Sequence, residues 1–249
     1  MSRSFPLVTA HTGCMNCPDN TLISAETGIK LGADIIEEDI RVTRDGVAVL
    51  FHDDEVRLPE GTKYRLSHLT YPELREMNII AAHAKGGETI RIADLKSLLS
   101  LIRSSGKMIN CDLKTDGSIE AAAALARKYN MQDQIFFTGC GIQRAQLAER
   151  ICPDIRKLLN ADVRLFLTRG YTEAVGKTIE DALAASCSGI NIDYRFVRTD
   201  LIEAADAHNL PVYVWTVNDE SQMQSFARMG VYSLTTRNVK AMVGFKHSS

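Results

Sequence analysis

A cluster of titratable side chains occupies the stretch IIEEDIRVTRDGVAVLFHDD, residues 35–54. Glu37, Glu38 and Asp39 end one apolar run, His52 ends the next, and TRDG is a turn signal between them. A parallel crossover needs about a dozen residues or more, so the two runs are predicted to form an antiparallel hairpin. The return arm of that hairpin brings His52 back beside Glu37 and Asp39.

Two other apolar runs also end in groups that could do chemistry. His11 closes LVTAH, and Asp112 and Lys114 close KMINCDLK. Side chains alternate along a strand, so Glu37 and Asp39 share one face, as Asp112 and Lys114 do on their own strand. Three converging carboxylates would repel each other unless a cation lay among them. Oxygen ligands suit Mg²⁺ or Ca²⁺, so one divalent cation is expected at Glu37, Asp39 and Asp112.

The histidines add proton transfer to this arrangement. Histidine titrates near neutral pH, so His11 and His52 could serve as general base and general acid in one turnover. A cation and Lys114 would neutralise charge that develops on phosphoryl oxygens. The combination suits displacement at a phosphodiester. A simpler interpretation stays open for Asp112 and Lys114, because a salt bridge between them or a helix cap would also explain the aspartate.

Several polar residues near these groups have less specific interpretations. Glu38 faces away from the expected cation, and we expect it to meet a lysine or arginine of the helical layer. Arg41 lies farther up the hairpin and is expected in solvent. Trp215 is the sole tryptophan and either lines a pocket or fills the core. Asp193 and Asn218 end two later runs. Each either forms hydrogen bonds that support the site residues or caps the turn that follows its strand.

The elements that must position these residues follow a regular alternation of apolar runs and amphipathic helical patterns. The runs are LVTAH (7–11), ADIIEED (33–39), KMINCDLK (107–114), QIFFTG (134–139), RKLLNAD (156–162), GINID (189–193), VYVWTVN (212–218) and VYSLTTR (231–237). Eight alternations predict an α/β fold, a (β/α)₈ TIM barrel in a single domain of residues 1–249, with a doubly wound open sheet as the rival. The candidate residues fall at C-terminal strand ends, where such barrels place their chemistry. Residues 53–90 lack a clear period and are predicted to form a small insertion after strand 2 on that catalytic face.

Composition narrows the classes of function. The 249 residues are 45% hydrophobic and 24% charged, and 29 Lys and Arg against 31 Asp and Glu give a net charge of −2. This balance gives no electrostatic reason to expect nucleic acid or an anionic membrane as a partner. No apolar run is long enough to span a bilayer. The N-terminus MSRSFPLVTAHTG lacks the apolar region of a secretory signal, so we expect a cytoplasmic protein.

The six cysteines are expected to be thiols rather than a disulfide framework. CMNC, Cys14 to Cys17, has a spacing that also occurs in redox and zinc sites. No second pair follows to complete a zinc site. Thiols that help shape the pocket are the favoured interpretation.

Taken together, the motifs resemble the glycerophosphodiester phosphodiesterase family, within the barrels related to phospholipase C. The family pattern is His-Arg-Gly, Pro-Glu-Asn-Thr, Gly-Ala-Asp-x-Ile-Glu-x-Asp with a Thr-x-Asp-Gly hairpin to His-Asp, then Glu-x-Lys and Trp-Thr-Val-Asn. This chain has, in the same order, HTG, PDNT, GADIIEEDIRVTRDGVAVLFHD, DLK and WTVND. LSHLTYPELREM also resembles the insertion of the family. The match runs from His11 to about residue 237, nearly the whole chain.

The resemblance implies roles for the matching residues. His11 and His52 become the acid–base pair, and Glu37, Asp39 and Asp112 become the metal ligands. Lys114 becomes a phosphate contact, and Trp215 becomes a wall for the alcohol part of the substrate. The implied reaction is the hydrolysis of a small glycerophosphodiester to glycerol 3-phosphate and an alcohol with a divalent cation, a reaction of lipid metabolism.

Four positions depart from the family pattern. Thr12 stands where the family has arginine, which removes a phosphate-binding cation and leaves Thr12 as the candidate substrate contact. Asp112 replaces a glutamate, and Glu38 replaces an apolar residue. Arg237 stands where an aspartate is usual. Strands 8 and 1 are neighbours in a closed barrel, so we hypothesise that Arg237 supplies the positive charge lost at Thr12. A surface arginine that caps its strand is the simpler alternative.

Two other functions stay open at this point. One is a barrel that binds a metal and a phosphate without cleaving a substrate. The other is a related lyase or transferase that forms a cyclic phosphate or passes the group to another acceptor. The sequence leaves open the leaving alcohol, the native cation, the roles of Cys14 and Cys17, and the oligomeric state.

Overall fold

Strands and helices alternate along the chain in the order that the sequence predicts. The computed structural model describes residues 5–81 and 88–248. The strands are β1 (Leu7–Ala10), β2 (Ile35–Val42), β3 (Ala48–Leu50), β4 (Glu55–Arg57), β5 (Lys63–Arg65), β6 (Ile79–Ile80), β7 (Thr89–Ile90), β8 (Met108–Leu113), β9 (Ile135–Thr138), β10 (Arg156–Lys157), β11 (Leu159–Asn160), β12 (Ile190–Asp193), β13 (Val212–Trp215) and β14 (Ser233–Thr236). The helices are α1 (Leu22–Lys30), α2 (Tyr71–Arg75), α3 (Leu95–Ser105), α4 (Gly117–Lys128), α5 (Ile142–Ile151), α6 (Val163–Thr168), α7 (Tyr171–Ala184), α8 (Thr199–Asp206), α9 (Glu220–Met229) and α10 (Val239–His247).

The parallel strands form a ring. Their order is β10-β9-β8-β2-β1-β14-β13-β12-β11, and β1 pairs in parallel with both β2 and β14. The fifth strand of the ring consists of β10 and β11, of which β10 pairs with β9 and β11 with β12. Leu158 joins these two segments, so the chain itself links both sides of the ring. The TIM barrel is confirmed, and the open sheet is excluded because the first and last strands are neighbours.

The helices cover the ring because their apolar faces pack on it. Asp94 caps α3 through its side chain, Asp219 caps α9, and Gly106 and Gly230 end the same two helices with left-handed backbone. Buried side chains from both layers form one large apolar cluster. No helix within the described ranges combines the length and apolar character needed to cross a membrane.

The predicted hairpin is present and leaves the end of β2. β3 pairs antiparallel with β2, with Ile40 opposite Leu50 and Val42 opposite Ala48. The amide of Phe51 then donates to the carbonyl of Asp39 at 3.0 Å. This hydrogen bond fixes the residue before His52 to Asp39, one of the candidate metal ligands.

Alternate residues of β3 belong to two different apolar cores. Ala48 and Leu50 pack in the large cluster of the barrel. Val49 and Phe51 pack in a second, smaller cluster with Leu66 and other residues of the predicted insertion. The strand thus separates the barrel core from the core of the segment that follows it.

The segment after the hairpin contains structure that the sequence analysis did not resolve. It holds the antiparallel pairs β4–β5 and β6–β7 and the short helix α2, while residues 82–87 of the predicted insertion lie outside the described residues. Thr70 and Glu73 form a capping box at the start of α2. That four-residue signal was available in the sequence, whereas the two- and three-residue strands are too short to show a period.

Candidate active site

The three predicted acidic ligands lie together at the C-terminal ends of β2 and β8. The two strands pair in parallel, with Asp39 opposite Asp112 and Glu37 opposite Asn110. One carboxylate oxygen from each of Glu37, Asp39 and Asp112 lies within 4.8 Å of the others. Glu37 and Asp39 are buried, and Asp112 is half-buried. The structure therefore contains the candidate acidic metal site.

Lys114 lies against two of these acids. Its Nζ is 2.8 Å from Oδ1 of Asp39 and 3.0 Å from Oδ2 of Asp112. Burial by itself would lower the lysine pKa, but the charges of Asp112 and Asp39 outweigh it and raise the pKa above its ordinary value. Lys114 is thus a fixed cation at the edge of the acidic cluster.

One lysine does not balance three acids. Burial raises the pKa of Glu37 well above its ordinary value, and the charges of Asp39 and Asp112 add to the rise. Burial likewise raises the pKa of Asp112, against the effect of Lys114. For Asp39, burial is outweighed by Lys114 and the amide of Asn20, which hold its pKa below the ordinary value. A bound cation would therefore stabilise the charged forms of Glu37 and Asp112.

The surroundings of Asp112 also fit a cation. Its Oδ1 is buried and has no hydrogen-bond partner among the described residues. Gly139, with φ +70°, lies against this oxygen, and a Cβ at that position would overlap it. A glycine is required there both by the left-handed backbone and by the carboxylate. The residues present therefore fit a divalent cation held by oxygen ligands.

His11 lies beside the acids with one ring nitrogen committed. Its Nδ1 is 2.7 Å from the carbonyl oxygen of Thr12, which can only accept a hydrogen bond, so Nδ1 carries the proton. The same Nδ1 is 3.9 Å from Oε2 of Glu37. Burial lowers the pKa of His11, and Arg237 lowers it further, against the raising effect of the Thr12 carbonyl. The neutral ring with a free Nε2 is therefore favoured.

His52 is more exposed and is held from two sides. Its Nδ1 is 2.7 Å from Oδ1 of Asp53. Its carbonyl accepts a hydrogen bond of 2.7 Å from Nε of Arg41. The expectation that Arg41 lies in solvent is wrong, because its side chain is only 16% exposed and folds back onto this loop. Arg41 thus anchors the backbone that carries His52.

The prediction that Glu38 meets a lysine or arginine of the helical layer is also wrong. Glu38 does face away from Glu37 and Asp39, but its Oε2 accepts a 2.6 Å hydrogen bond from the Thr12 hydroxyl rather than from a lysine or arginine. Its Oε1 is buried without a partner in the described part of the chain. Burial raises the pKa of Glu38 well above its ordinary value, although the Thr12 hydrogen bond lowers it. The strand pattern of β2 could not show this, because Thr12 belongs to the loop after β1.

Arg237 reaches across to the first loop. Its Nη1 is 3.0 Å from Oδ1 of Asp19, and its Nη2 donates to Oδ2 of the same residue at 3.2 Å. Asn218 accepts a 2.8 Å hydrogen bond from the backbone amide of Arg237 and so fixes the end of β14. Gly13, with φ +72°, lies under the ion pair, where a Cβ would meet both Asp19 and Nη1 of Arg237. The arginine is therefore positioned at the first loop, near Thr12.

These residues share one cavity of ≈ 700 Å³. His11, Thr12, Glu37, Asp39, His52, Asp112, Lys114, Trp215 and Arg237 all line it. Trp215 is half-buried there, whereas Asp193 mainly caps the turn that follows β12 and pairs with Arg195. The volume is in the ordinary range for a small-molecule site.

The sequence did not indicate several other polar residues that line the cavity. They are Asn110, Thr138, Arg144, Asn160, Asn191 and Thr235. Asn110 and Asn191 each lie two residues before a noted aspartate, so the strand period places them on the same face. That parity was a usable signal for these two asparagines.

The cysteine pair lies beside α1. The six cysteines are free. Burial raises the pKa of Cys14 to about 11, and its thiol donates to the carbonyl of Ser24 at 3.5 Å. The Cys17 thiol donates to the hydroxyl of Thr27. Both thiols pack the first loop against α1.

Known proteins resemble this chain along nearly its whole length. The sequence matches the model of the glycerophosphoryl diester phosphodiesterase family over residues 11–241. The chain belongs to this family. As a glycerophosphoryl diester phosphodiesterase family member it is a phosphoric diester hydrolase, and the predictions of family and enzyme class are confirmed.

Relatives of the family member cover nearly its full length. A glycerophosphodiester phosphodiesterase from Caldanaerobacter subterraneus subsp. tengcongensis is 23% identical over 246 residues, 95% of this chain and 96% of the relative. One from Bacillus altitudinis is 27% identical over 239 residues, 92% and 93% of the two chains. A phosphodiesterase from Oleispira antarctica, solved with the product sn-glycerol-3-phosphate, has a TM-score of 0.81 at 22% identity over 98% of both chains. A glycerophosphodiester phosphodiesterase from Thermotoga maritima has a TM-score of 0.75 at 19% identity, covering 98% of this chain and all of the other. The structural likenesses show the shared barrel fold.

Proposed function

We propose that the protein hydrolyses a small glycerophosphodiester to glycerol 3-phosphate and an alcohol, with one divalent cation and two histidines. The observation that carries the proposal is the shared cavity, in which three acids, a lysine and both histidines meet. The product complex of the Oleispira antarctica relative supports glycerol 3-phosphate as the product.

Glu37, Asp39 and Asp112 would hold the cation, and oxygen ligation favours Mg²⁺ or Ca²⁺. When bound, the cation supplies Lewis-acid stabilisation of the charge on the phosphoryl oxygens. Lys114 adds a second positive charge beside it, since two of its donors engage Asp39 and Asp112 and a third remains for the phosphate.

The histidines divide the proton transfers. Nε2 of His11 takes a proton from the attacking water as the new P–O bond forms. Nε2 of His52 gives a proton to the alcohol oxygen as the old P–O bond breaks. His11 is suited to the role of base because burial keeps its ring neutral. Asp53 occupies Nδ1 of His52, which leaves Nε2 for the leaving group.

Other cavity residues bind the substrate. Arg237 supplies the positively charged side chain that the family pattern places at position 12, since it reaches the first loop and lines the cavity. Thr12 completes the wall beside it, and Trp215 forms the wall for the alcohol. The presence of both histidines in one cavity with the acids favours turnover over a site that only binds.

The direct test is release of choline and glycerol 3-phosphate from glycerophosphocholine, with Mg²⁺, Ca²⁺ or a chelator. We expect activity that requires the cation and that His11→Ala and His52→Ala each abolish. His208→Ala is a matched control, because this exposed histidine hydrogen-bonds the Ala204 carbonyl at 2.9 Å and is not among the described residues that line the cavity. Activity that survives chelation, or an active His11→Ala variant, would remove the mechanism; a cyclic phosphate product would favour the lyase.

We also propose that residues 1–249 form one domain, in which residues 53–90 are an insertion at the catalytic face. The shared strand β3 supports this, because Leu50 packs in the barrel core and Val49 in that of the insertion. A single thermal unfolding transition is expected by both calorimetry and circular dichroism. Two separate transitions would contradict it.

A further inference from the structure

Thr12 makes a hydrogen bond with each of its polar groups. Its amide donates to Oε2 of Glu37 at 3.1 Å, and its carbonyl accepts from Nδ1 of His11 at 2.7 Å. Its hydroxyl donates to Oε2 of Glu38 at 2.6 Å and accepts from the amide of Asn20 at 2.6 Å. A single residue thus contacts a proposed ligand, a proposed base and two elements behind them.

The direction of the hydroxyl hydrogen bond is fixed by its neighbours. Because the hydroxyl accepts from the Asn20 amide, its own proton is directed at Glu38. Thr12 is 2% exposed and Glu38 is fully buried, so water does not replace these bonds if they are lost. The Thr12–Glu38 contact is therefore a defined link between β2 and the loop after β1.

The link continues to a second ligand. The side chain of Asn20 donates to Oδ2 of Asp39 at 3.0 Å, and its Oδ1 accepts from the Asp39 amide at 3.1 Å. Asn20 itself adopts left-handed backbone, with φ 59°, so its loop depends on specific contacts to hold this course. Moving the Thr12 hydroxyl would loosen the loop on which Asp39 depends.

We infer that Glu38 and Thr12 form a positioning pair that sets the geometry of His11, Glu37 and Asp39 through the hydrogen bonds of Thr12. The inference rests on the proposed hydrolysis for its kinetic readout. It also accounts for two departures from the family pattern together, because the hydroxyl at 12 and the carboxylate at 38 are each other's partners. Neither residue needs to touch the substrate for this role.

The test compares variants that keep the hydrogen bond with variants that remove it. Thr12→Ser and Glu38→Gln retain a donor and an acceptor, whereas Thr12→Val and Glu38→Leu do not. We expect the latter two to lose about 10- to 100-fold in kcat, the usual range for residues that orient metal ligands. KM should change much less, because the hydroxyl that Thr12→Val removes donates to Glu38 rather than to the substrate. Thr12→Ser and Glu38→Gln should lose much less in kcat than Thr12→Val and Glu38→Leu.

Coupling and cation binding separate this role from a general loss of stability. The double variant Thr12→Val/Glu38→Leu should be no worse than the poorer single variant, because both changes break one link. The Ca²⁺ or Mg²⁺ concentration that gives half of the maximal thermal shift should rise in Thr12→Val and not in Thr12→Ser. Thr178→Val is the matched control, since it removes a buried hydroxyl that bonds to Ala174 within α7 at 2.8 Å.

Three results would overturn the inference: Thr12→Val and Glu38→Leu with parental kcat and cation affinity, losses that multiply in the double variant, or a Thr12→Ser variant as impaired as Thr12→Val. An inactive parent would instead refute the proposed hydrolysis. In that case the cation titration still tests the positioning pair, because it needs no turnover.

Discussion

Replacing Lys114 by methionine removes a buried charge from the acidic cluster while keeping most of the side-chain volume. The ammonium lies 2.8 Å from Asp39 and 3.0 Å from Asp112, and the lysine side chain is 17% exposed. Each contact is a gross attraction of about 6 kcal/mol at an effective dielectric constant of about 20. Desolvation of the three groups offsets much of this.

The net effect follows from the acids that would be left behind. Breaking a buried ion pair by removing one partner destabilises a protein by about 3–5 kcal/mol. For a chain of this size, that corresponds to a fall in Tm of about 6–20 °C. We therefore expect Lys114→Met to melt well below the parent in the presence of a chelator.

Adding a cation should reverse part of this loss. Ca²⁺ or Mg²⁺ supplies the positive charge that Asp39 and Asp112 have lost, so the thermal shift on cation addition should be larger in Lys114→Met than in the parent. Activity should not return, because the phosphate contact is missing. Differential scanning fluorimetry with chelator and with cation, beside the diesterase assay, measures both effects.

The control is a lysine in an exposed ion pair. Lys63 lies 3.2 Å from Glu55, with the two side chains 53% and 42% exposed, so Lys63→Met should change stability by about 1 kcal/mol or less. If Lys114→Met melted no lower than Lys63→Met in chelator, the electrostatic reasoning about the cluster would be refuted.

Three further predictions concern other parts of the site. Burial holds the pKa of His11 below its ordinary 6.5, so the neutral ring that acts as a base persists at lower pH. The acid limb of the kcat/KM profile should therefore lie below pH 6.5. A limb at or above that value would contradict the assignment of His11 as the base. Gly139→Ala should weaken cation affinity by about tenfold or more, because its Cβ would displace Asp112, and an unchanged calorimetric titration would show that this oxygen is free to move. Arg237→Ala should raise KM for the diester by about tenfold while Arg237→Lys is less affected, and unchanged KM in the alanine variant would leave the arginine with only its ion pair to Asp19.

The barrel and the site acids could be predicted because both depend on local signals. Apolar runs such as LVTAH mark the strands, and strand alternation places Glu37 and Asp39 on one face. The turn TRDG predicted the hairpin and with it the approach of His52 to Asp39. These signals need only neighbouring residues.

The contacts of Glu38 and Arg41 could not be predicted in the same way. Each depends on where a separate loop passes: Glu38 meets Thr12 of the loop after β1, and Arg41 meets the carbonyl of His52. The interior of the insertion was also unpredictable, because its strands are two or three residues long. Such contacts are set by tertiary packing rather than by sequence period.

The double role of β3 has a consequence for how this enzyme can change. Leu50 packs in the barrel cluster and Phe51 in the insertion cluster, so the backbone before His52 lies between two apolar clusters. Loosening either cluster would let the His52 imidazole move, so substitutions at the apolar positions of the insertion should affect turnover. The turn at Gly61 differs, because a Cβ added at that glycine would meet nothing within 4 Å. Side chains can therefore be added at that turn with little effect on the two apolar clusters that hold the backbone before His52.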